Sequence, residues 1–415
     1  MIEKNENIKL LYISKYLLPP EGDGVGSRGF HLMKEISSKV SNITIITSNS
    51  NHLGKTPDFK NLYFSDKSSV LDLFWLKTFK YKKSKSLGRI ISWIDFEIKL
   101  LFFIFFKKIL PKPDVVIISS LSLLTIISGL LIKLCFKAKI IFEIRDIWPL
   151  TLIEEGGFSK YNPLILILSF IERVGYRYSD LIVGTMPNLK EHVENVLGYE
   201  KETFHIPMGF KKEDLEKNEN LNENFFDEDK LKDKFIVGYA GTIGITNALN
   251  IFFETISSLR DEKNIHFLIF GDGDLKKEYI NKYGKLTNIT FMSKVKKINL
   301  NAALSRCDLL YLSALPSKVW EYGQSLNKII DYMLAARPIL ASYSGYKSMI
   351  NESKCGVFIP AGDEETLKIE IKRFSKMPSS ELERLGKNGK NWVLQNNEYK
   401  ILAQKYYQLI NNISS

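Results

Sequence analysis

The chain has 415 residues, too many for one ordinary core, and its length points to two α/β domains of about 200 residues each. Hydrophobic residues at 45% and charged residues at 25% are globular proportions, which exclude a collagen-like or wholly disordered chain. The net charge of +11 is unevenly placed, and the three cysteines, Cys135, Cys307 and Cys355, lie far apart without a CxxC partner, which excludes a disulfide framework or zinc site and fits a reducing cytoplasm.

The polar residues 1–7 precede a short apolar run at 8–14 that reads as a first buried strand and is too brief for a signal-peptide core. From there to about Pro207, strand-like runs at 10–13, 43–47, 115–118, 140–144 and 181–184 alternate with helical stretches such as 28–38. Alternation of this kind predicts a parallel sheet with helices on both faces. Residues 115–136 approach the length of a membrane span, but the β-branched start and the helical remainder predict a strand followed by a helix. Between Lys77 and Lys112 ten Lys or Arg face two acids, Asp95 and Glu97, and are interleaved with Phe79, Tyr81, Trp93, Phe96, Phe102, Phe103, Phe105 and Phe106. Two readings stay open for this segment: an interfacial helix on an anionic membrane surface, or a helix packed on its own domain with a solvated basic face. No nucleic-acid reader motif accompanies the charge, so nucleic acid is not an expected partner.

Residues 211–234, rich in Lys, Glu, Asp and Asn, read as a linker or exposed excursion. A second alternating series follows, with strands predicted at 235–239, 266–270, 309–312, 338–341 and 356–359. Two doubly wound units in tandem would set their strand carboxyl ends across a cleft, where such folds bind ligands.

Glycines cluster where strands end. The loop holding Gly22, Gly24, Gly26 and Gly29 precedes a helix, and Gly241 and Gly244, then Gly271 and Gly273, directly follow two strands of the second series. Such glycines either let backbone amides approach an anionic or sugar ligand or serve tight turns. No GxxxxGK[ST] occurs, and Gly22-x-Gly24 lacks the remainder of a dinucleotide fingerprint, so nicotinamide chemistry is disfavoured. Asp272-Gly273-Asp274 reads as turn chemistry rather than a cation site. Residues 325–336 predict a helix capped near Ser325 and stopped by Pro338. Lys328 in its first turn suits a diphosphate, and Asp331, one turn later, suits vicinal ribose hydroxyls; an ordinary i,i+3 ion pair is the alternative.

In order and content these segments resemble family-four glycosyltransferases of the GT-B class. The resemblance runs from the loop at Gly22–Gly29 through Arg145-Asp146-Ile147-Trp148-Pro149, Ile206-Pro207-Met208-Gly209, Gly241-Thr242-Ile243-Gly244 and Gly271-Asp272-Gly273 to Asn327-Lys328-Ile329-Ile330-Asp331-Tyr332-Met333 and Arg337-Pro338. It is closest to bacterial members that build O-antigen and capsule, including fucosamine transferases. It implies an α/β fold of two Rossmann-like domains facing across a cleft. The expected division is an acceptor domain at 1–208, a nucleotide-sugar domain at 209–395 and a C-terminal helix at 396–415 returning to the first.

The implied activity is transfer with retention, without metal or other cofactor. An N-acetylated hexosamine or deoxyhexosamine would move from a UDP-sugar to a polyprenyl-diphosphate-linked glycan, at the cytoplasmic face of a membrane. The catalytic set implied is Lys328, Glu321, Arg145 and Asp146. The donor set is Gly24, Gly26, Gly241, Thr242, Gly271, Gly273, Asn327, Lys328 and Asp331, with Lys294 or Lys318 as added cations. The chain departs from the family pattern in three places. The first of two acids spaced eight positions apart is Gly323, leaving Asp331 alone, so Glu321 or loop amides at 320–324 would contact the sugar. Arg145 stands where many members have histidine, and an always-charged guanidinium cannot act as acid or base. No cation occurs at 242–250. Two other functions share such an architecture, a nucleotide-sugar 2-epimerase and a non-catalytic sugar-binding scaffold.

Overall fold

The computed structural model describes residues 8–20, 26–51, 54–67, 71–81, 87–106, 110–120, 122–216, 221, 225–293 and 295–414. The chain divides into two compact units, Met1–Pro207 with Tyr399–Ser415, and Met208–Glu398.

Among the described residues the first unit is built on an eight-stranded sheet. In chain order its strands are β1 (Lys9–Ile13), β2 (Asn42–Ser48), β3 (Tyr63–Lys67), β4 (Asp72–Leu76), β5 (Val115–Ser119), β6 (Lys139–Ile144), β7 (Leu181–Gly184) and β8 (Thr203–His205). They lie side by side as β3-β4-β2-β1-β5-β6-β7-β8, parallel throughout except where β3 runs antiparallel to β4. The central register places Ile13 beside Ile46 on one side and Ile118 on the other. Buried on both faces, these strands need the unbroken β-branched runs seen in the sequence. The helices are α1 (Arg28–Ile36), α2 (Leu87–Phe106), α3 (Thr125–Phe136), α4 (Leu150–Glu154), α5 (Pro163–Tyr178) and α6 (Leu189–Leu197). Residues 115–136 thus resolve into β5 and α3, and no described helix is long and apolar enough to cross a membrane.

A fully buried ion pair fixes the start of α1. Arg28 Nη1 lies 2.7 Å from Glu143 on β6, and Tyr12 on β1 donates to the same carboxylate at 2.9 Å. The remaining guanidinium nitrogens donate to the carbonyls of Ile206, at 2.6 Å, and Pro207, at 3.0 Å. Burial pushes the Glu143 carboxyl up, but Arg28 more than offsets this and holds it below its ordinary range.

Among the described residues the second unit carries a six-stranded parallel sheet of β9 (Phe235–Ala240), β10 (Ile265–Phe270), β11 (Ile289–Phe291), β12 (Leu309–Ser313), β13 (Ile339–Ser342) and β14 (Gly356–Ile359), ordered β11-β10-β9-β12-β13-β14. Its helices begin with two single turns, α7 (Glu213–Glu216) and α8 (Glu228–Leu231). They continue through α9 (Asn250–Ser258), α10 (Lys276–Tyr283), α11 (Leu300–Leu304), α12 (Asn327–Leu334), α13 (Met349–Ser353), α14 (Glu364–Ser375) and α15 (Ser379–Asn396). The segment expected to be a linker or exposed excursion instead belongs to this unit. Phe226 is buried in its core, and Leu215, Leu221, Phe225 and Leu231 pack against that core. Among its described residues these apolar side chains anchor the stretch, while charged ones such as Glu213 and Asp229 stay exposed. The last helix, α16 (Tyr399–Ser414), lies in the first unit against α1, where Tyr399 stacks on His31 with ring centroids 4.9 Å apart.

Candidate functional site

Strand order in the second unit reverses between β9 and β12, and the crevice at such a switch point is where open α/β sheets take ligands. A pocket of about 520 Å³ lies there, lined among others by Gly241, Thr242, Gly271, Asn327, Lys328 and Asp331. Six residues proposed from sequence alone for the donor are therefore brought together within this unit.

Each wall has a local cause. The loops after β9 and β10 interlock through their backbones: Ile243 N donates to Asp272 O at 2.8 Å, and Leu275 N donates to Ile243 O at 3.1 Å. A side chain on Gly271 would start 1.9 Å from the Gly241 carbonyl oxygen, at a φ of +137° that favours glycine. Gly271 is thus required by the crossing of two loops. Gly241, at φ +156°, leaves room for the Lys328 ammonium, which would lie 3.0 Å from an added methyl. Gly273 has a similar role, since its missing side chain would meet the Ile243 backbone.

Helix α12 is held by Tyr332. Its buried hydroxyl accepts from Ala240 N at 2.8 Å and reaches the carbonyls of Ala240 and Tyr311, at 3.1 and 3.0 Å, which ties the helix to β9 and β12. The helix begins at Asn327 behind Leu326, which offers no side-chain cap, so Ser325 is not the cap that its residue type suggested. In its first turn Ile329 N donates to the Leu326 carbonyl at 3.2 Å, which leaves the amides of Asn327 and Lys328 for a ligand.

Lys328 extends into the interior. Its Nζ lies 2.5 Å from Asn247 Oδ1 and 3.3 Å from the Tyr239 hydroxyl, and 5.0 Å from the centre of the Tyr239 ring. Among the described residues no carboxylate pairs with it. Burial lowers its pKa to about 8. Asp331, one turn on, does not meet Lys328. Its partner is Lys297, in the 3-10 turn Lys297–Asn299 that precedes α11. The i,i+3 ion pair that the spacing allowed is absent because Lys328 turns under the β9 loop while Asp331 faces Lys297.

Several other sequence candidates fall elsewhere. Lys318 and Glu321 sit on the 3-10 turn Lys318–Tyr322, which buries Val319 and Tyr322 and leaves those two charged residues exposed, outside the group lining the pocket. Gln324, just after that turn, is buried as well. It is 4% exposed, and neither its amide nitrogen nor its oxygen has a partner. Asp272 lines the pocket but accepts from Gly273 N at 2.9 Å, a local turn contact. Lys276, not singled out from sequence, donates to Gly271 O at 2.7 Å. Lys294 and Gly24 lie outside the described residues.

In the first unit Gly26 has φ +69° and packs its backbone on Pro20, a turn requirement. Arg145 and Asp146 follow β6. Asp146 accepts from Trp148 Nε1 and Thr151 Oγ1, both at 2.7 Å, and so organises the start of α4. Arg145 Nε is buried with no partner, an unsatisfied donor at the carboxyl edge of that sheet. No three His, Cys, Asp or Glu side chains converge as a metal site among the described residues.

Residues 234–376 match the family described as Glycosyl transferases group 1. The matched stretch lies wholly within the second unit. No curated protein matches the chain by sequence. Solved structures match it over both units. A sucrose-phosphate synthase from Thermosynechococcus elongatus aligns over 98% of this chain and 99% of its own, with TM-score 0.71 and 14% identity. An α,α-trehalose-phosphate synthase (UDP-forming) from Burkholderia vietnamiensis aligns over 99% and 98%, with TM-score 0.75 and 11% identity. An Anabaena protein in complex with UDP and glucose aligns over 98% and 100%, with TM-score 0.63 and 11% identity. At these identities the likeness establishes the fold, the GT-B pairing of two α/β units. The pocket lined by Gly241, Gly271, Lys328 and Asp331 falls inside the matched stretch.

Proposed function

We propose that the chain is a retaining, metal-independent glycosyltransferase that takes its sugar from a UDP-linked donor. The observation that carries this reading is Lys328, a buried ammonium with only neutral partners at the first turn of α12. A cation removed from water without a counter-ion is costly, and a bound diphosphate supplies the missing charge. The α12 amides and the glycine loops add donors in the same pocket. Asp331 is placed to accept from ribose hydroxyls. Two structures of similar fold, a UDP-forming synthase and a protein holding UDP, support a uridine nucleotide.

As the bond from the sugar anomeric carbon to the diphosphate breaks, negative charge grows on the phosphate beside Lys328. The acceptor oxygen attacks from the same face, and its proton passes to the departing phosphate. The buried, unpartnered amide of Gln324 is the group best suited to the sugar hydroxyls, where Gly323 removes an acid. On the acceptor side, Arg145 would hold an anionic group. We assign the sugar to the N-acetylated hexosamines or deoxyhexosamines, and the acceptor to a polyprenyl-diphosphate-linked glycan of surface-polysaccharide assembly, met at the cytoplasmic face of a membrane.

Calorimetric titration with UDP, with and without a chelator, tests the donor reading. Binding unaffected by chelation is expected, and loss of binding on chelation would refute the metal-free site. Anomeric configuration read by NMR during donor turnover tests retention.

A further inference from the structure

Helix α2 is amphipathic in the unusual sense that its outward stripe is apolar. Leu87, Ile91, Ile94, Ile98, Phe102 and Phe106 recur three or four residues apart and are all exposed, Ile98 to 63%. The opposite stripe, with Trp93, Phe96, Leu100 and Phe103, packs into the unit. A solvated basic face would show the reverse. The lysines do not explain this helix. Lys99 pairs with Asp95 at 2.8 Å, Lys80 pairs with Asp58 at 3.1 Å, and Lys82, Lys83 and Lys85 lie outside the described residues.

The neighbouring helices repeat the pattern. α3 lies between α2 and α5, and is fixed to α2 by Thr125 and Ser128, which donate to Glu97 at 2.7 and 2.5 Å. It exposes Ile127, Leu131 and Leu134, the last to 76%. α5 exposes Leu166, Ile167 and Phe170. Soluble monomers rarely leave so large a contiguous apolar surface open.

We infer that the outward face of α2, α3 and α5 lies in the interfacial plane of an anionic lipid bilayer, held chiefly by apolar insertion. Charge selects this occupant. The exposed positions of the three helices carry no carboxylate, while Arg173 and Arg177 continue the α5 stripe and Lys137 follows α3. A second copy of the same face would add cations and no acids, whereas anionic headgroups complement them. Exposed Tyr161, just before α5, and Tyr178, its last residue, place aromatic rings with polar tips where the headgroups would lie. This rests on the lipid-linked acceptor proposed above, and it names the surface that would present that acceptor.

The test uses the full chain without donor, cosedimented with phosphatidylcholine vesicles with and without phosphatidylglycerol. The triple variant Ile98→Ser, Leu131→Ser and Phe170→Ser removes one side chain per helix. Ile369→Ser, at an exposed apolar residue of α14, is the control. The parent and control are expected to bind anionic vesicles and to stay bound at about 0.5 M salt, where charge is screened. The triple variant should bind at least about tenfold more weakly, because affinity scales with apolar area inserted. Far-UV circular dichroism and thermal unfolding like the parent's verify the fold of the triple variant. Equal vesicle binding by variant and parent overturns the proposal, as does a parent that stays in the supernatant. If that parent is instead a dimer that the triple variant dissolves, the occupant is a second copy. Loss of UDP binding by the parent would refute the donor reading and leave the vesicle result standing.

Discussion

The ammonium of Lys297 meets both carboxylate oxygens of Asp331, joining the turn before α11 to the second turn of α12 across 34 residues of chain. The Lys297 side chain is 41% exposed and that of Asp331 19%, so this is a partly solvated pair at the rim of the pocket. Solvent screens it, and its own worth is small. Its role is to orient the carboxylate. Asp331→Asn is therefore expected to weaken UDP binding by about 1.5–3 kcal/mol, the size of a charge-assisted hydrogen bond, while Lys297→Ala costs about 1 kcal/mol or less. Calorimetry on both variants measures the difference, and equal losses would remove Asp331 from the ribose contact.

Lys328 carries the opposite balance, a cost to the empty protein that a ligand relieves. Lys328→Met should raise the thermal midpoint of unliganded protein, by about 2–4 °C for each kcal/mol recovered, and at the same time abolish turnover. A lower midpoint would show that the ammonium is satisfied without ligand.

The same lysine sets a pH dependence. Burial lowers its pKa to about 8 in the free protein, and a bound diphosphate favours the protonated form, raising that value. UDP affinity should thus be level below pH 8, as far as this group is concerned. It should then fall by up to about tenfold per pH unit above it, until the pKa of the complex is reached. Calorimetry between pH 7 and 9.5 reads this directly, and Lys328→Met should flatten the profile.

Gln324→Ala separates sugar from nucleotide. A group that touches only the sugar should lower kcat/KM for the donor by about tenfold or more and leave UDP affinity unchanged. A parallel loss of UDP affinity would place Gln324 on the nucleotide or in the support of α12.

Gly271→Ala tests the loop crossing. With a methyl starting 1.9 Å from a backbone oxygen, at a φ that side chains rarely adopt, destabilisation of about 2–4 kcal/mol is expected by chemical denaturation. A neutral result would mean that the loops after β9 and β10 separate easily.

Runs such as Val115-Val116-Ile117-Ile118 were legible as strands buried on two faces, but β4 was not, although its Leu73, Phe74, Trp75 and Leu76 are buried too, because its aromatics merge with the aromatic and cationic stretch that follows. The edge strands β3, β8 and β11 were not legible, because they are short, or polar as in Ser65-Asp66-Lys67, with half of their surface open. In the pocket the glycines and Lys328 could be named because each follows a strand or opens a helix. Lys297 and Asn247 could not, since they reach the site only through the chain's return, and no spacing links them to Asp331 or Lys328. The apolar stripe of α2 was hidden by its neighbours: the sequence shows aromatics among cations but not which of them turn inward.

The return of α16 to α1 sets an order of assembly. Leu402, Tyr406, Tyr407 and Ile410 complete a core whose strands β1 and β2 leave the ribosome far earlier. While the second unit is being translated, α16 is not yet there to cover that apolar surface. The first unit to be synthesised is the last to be finished, and its core stays open to solvent in that interval.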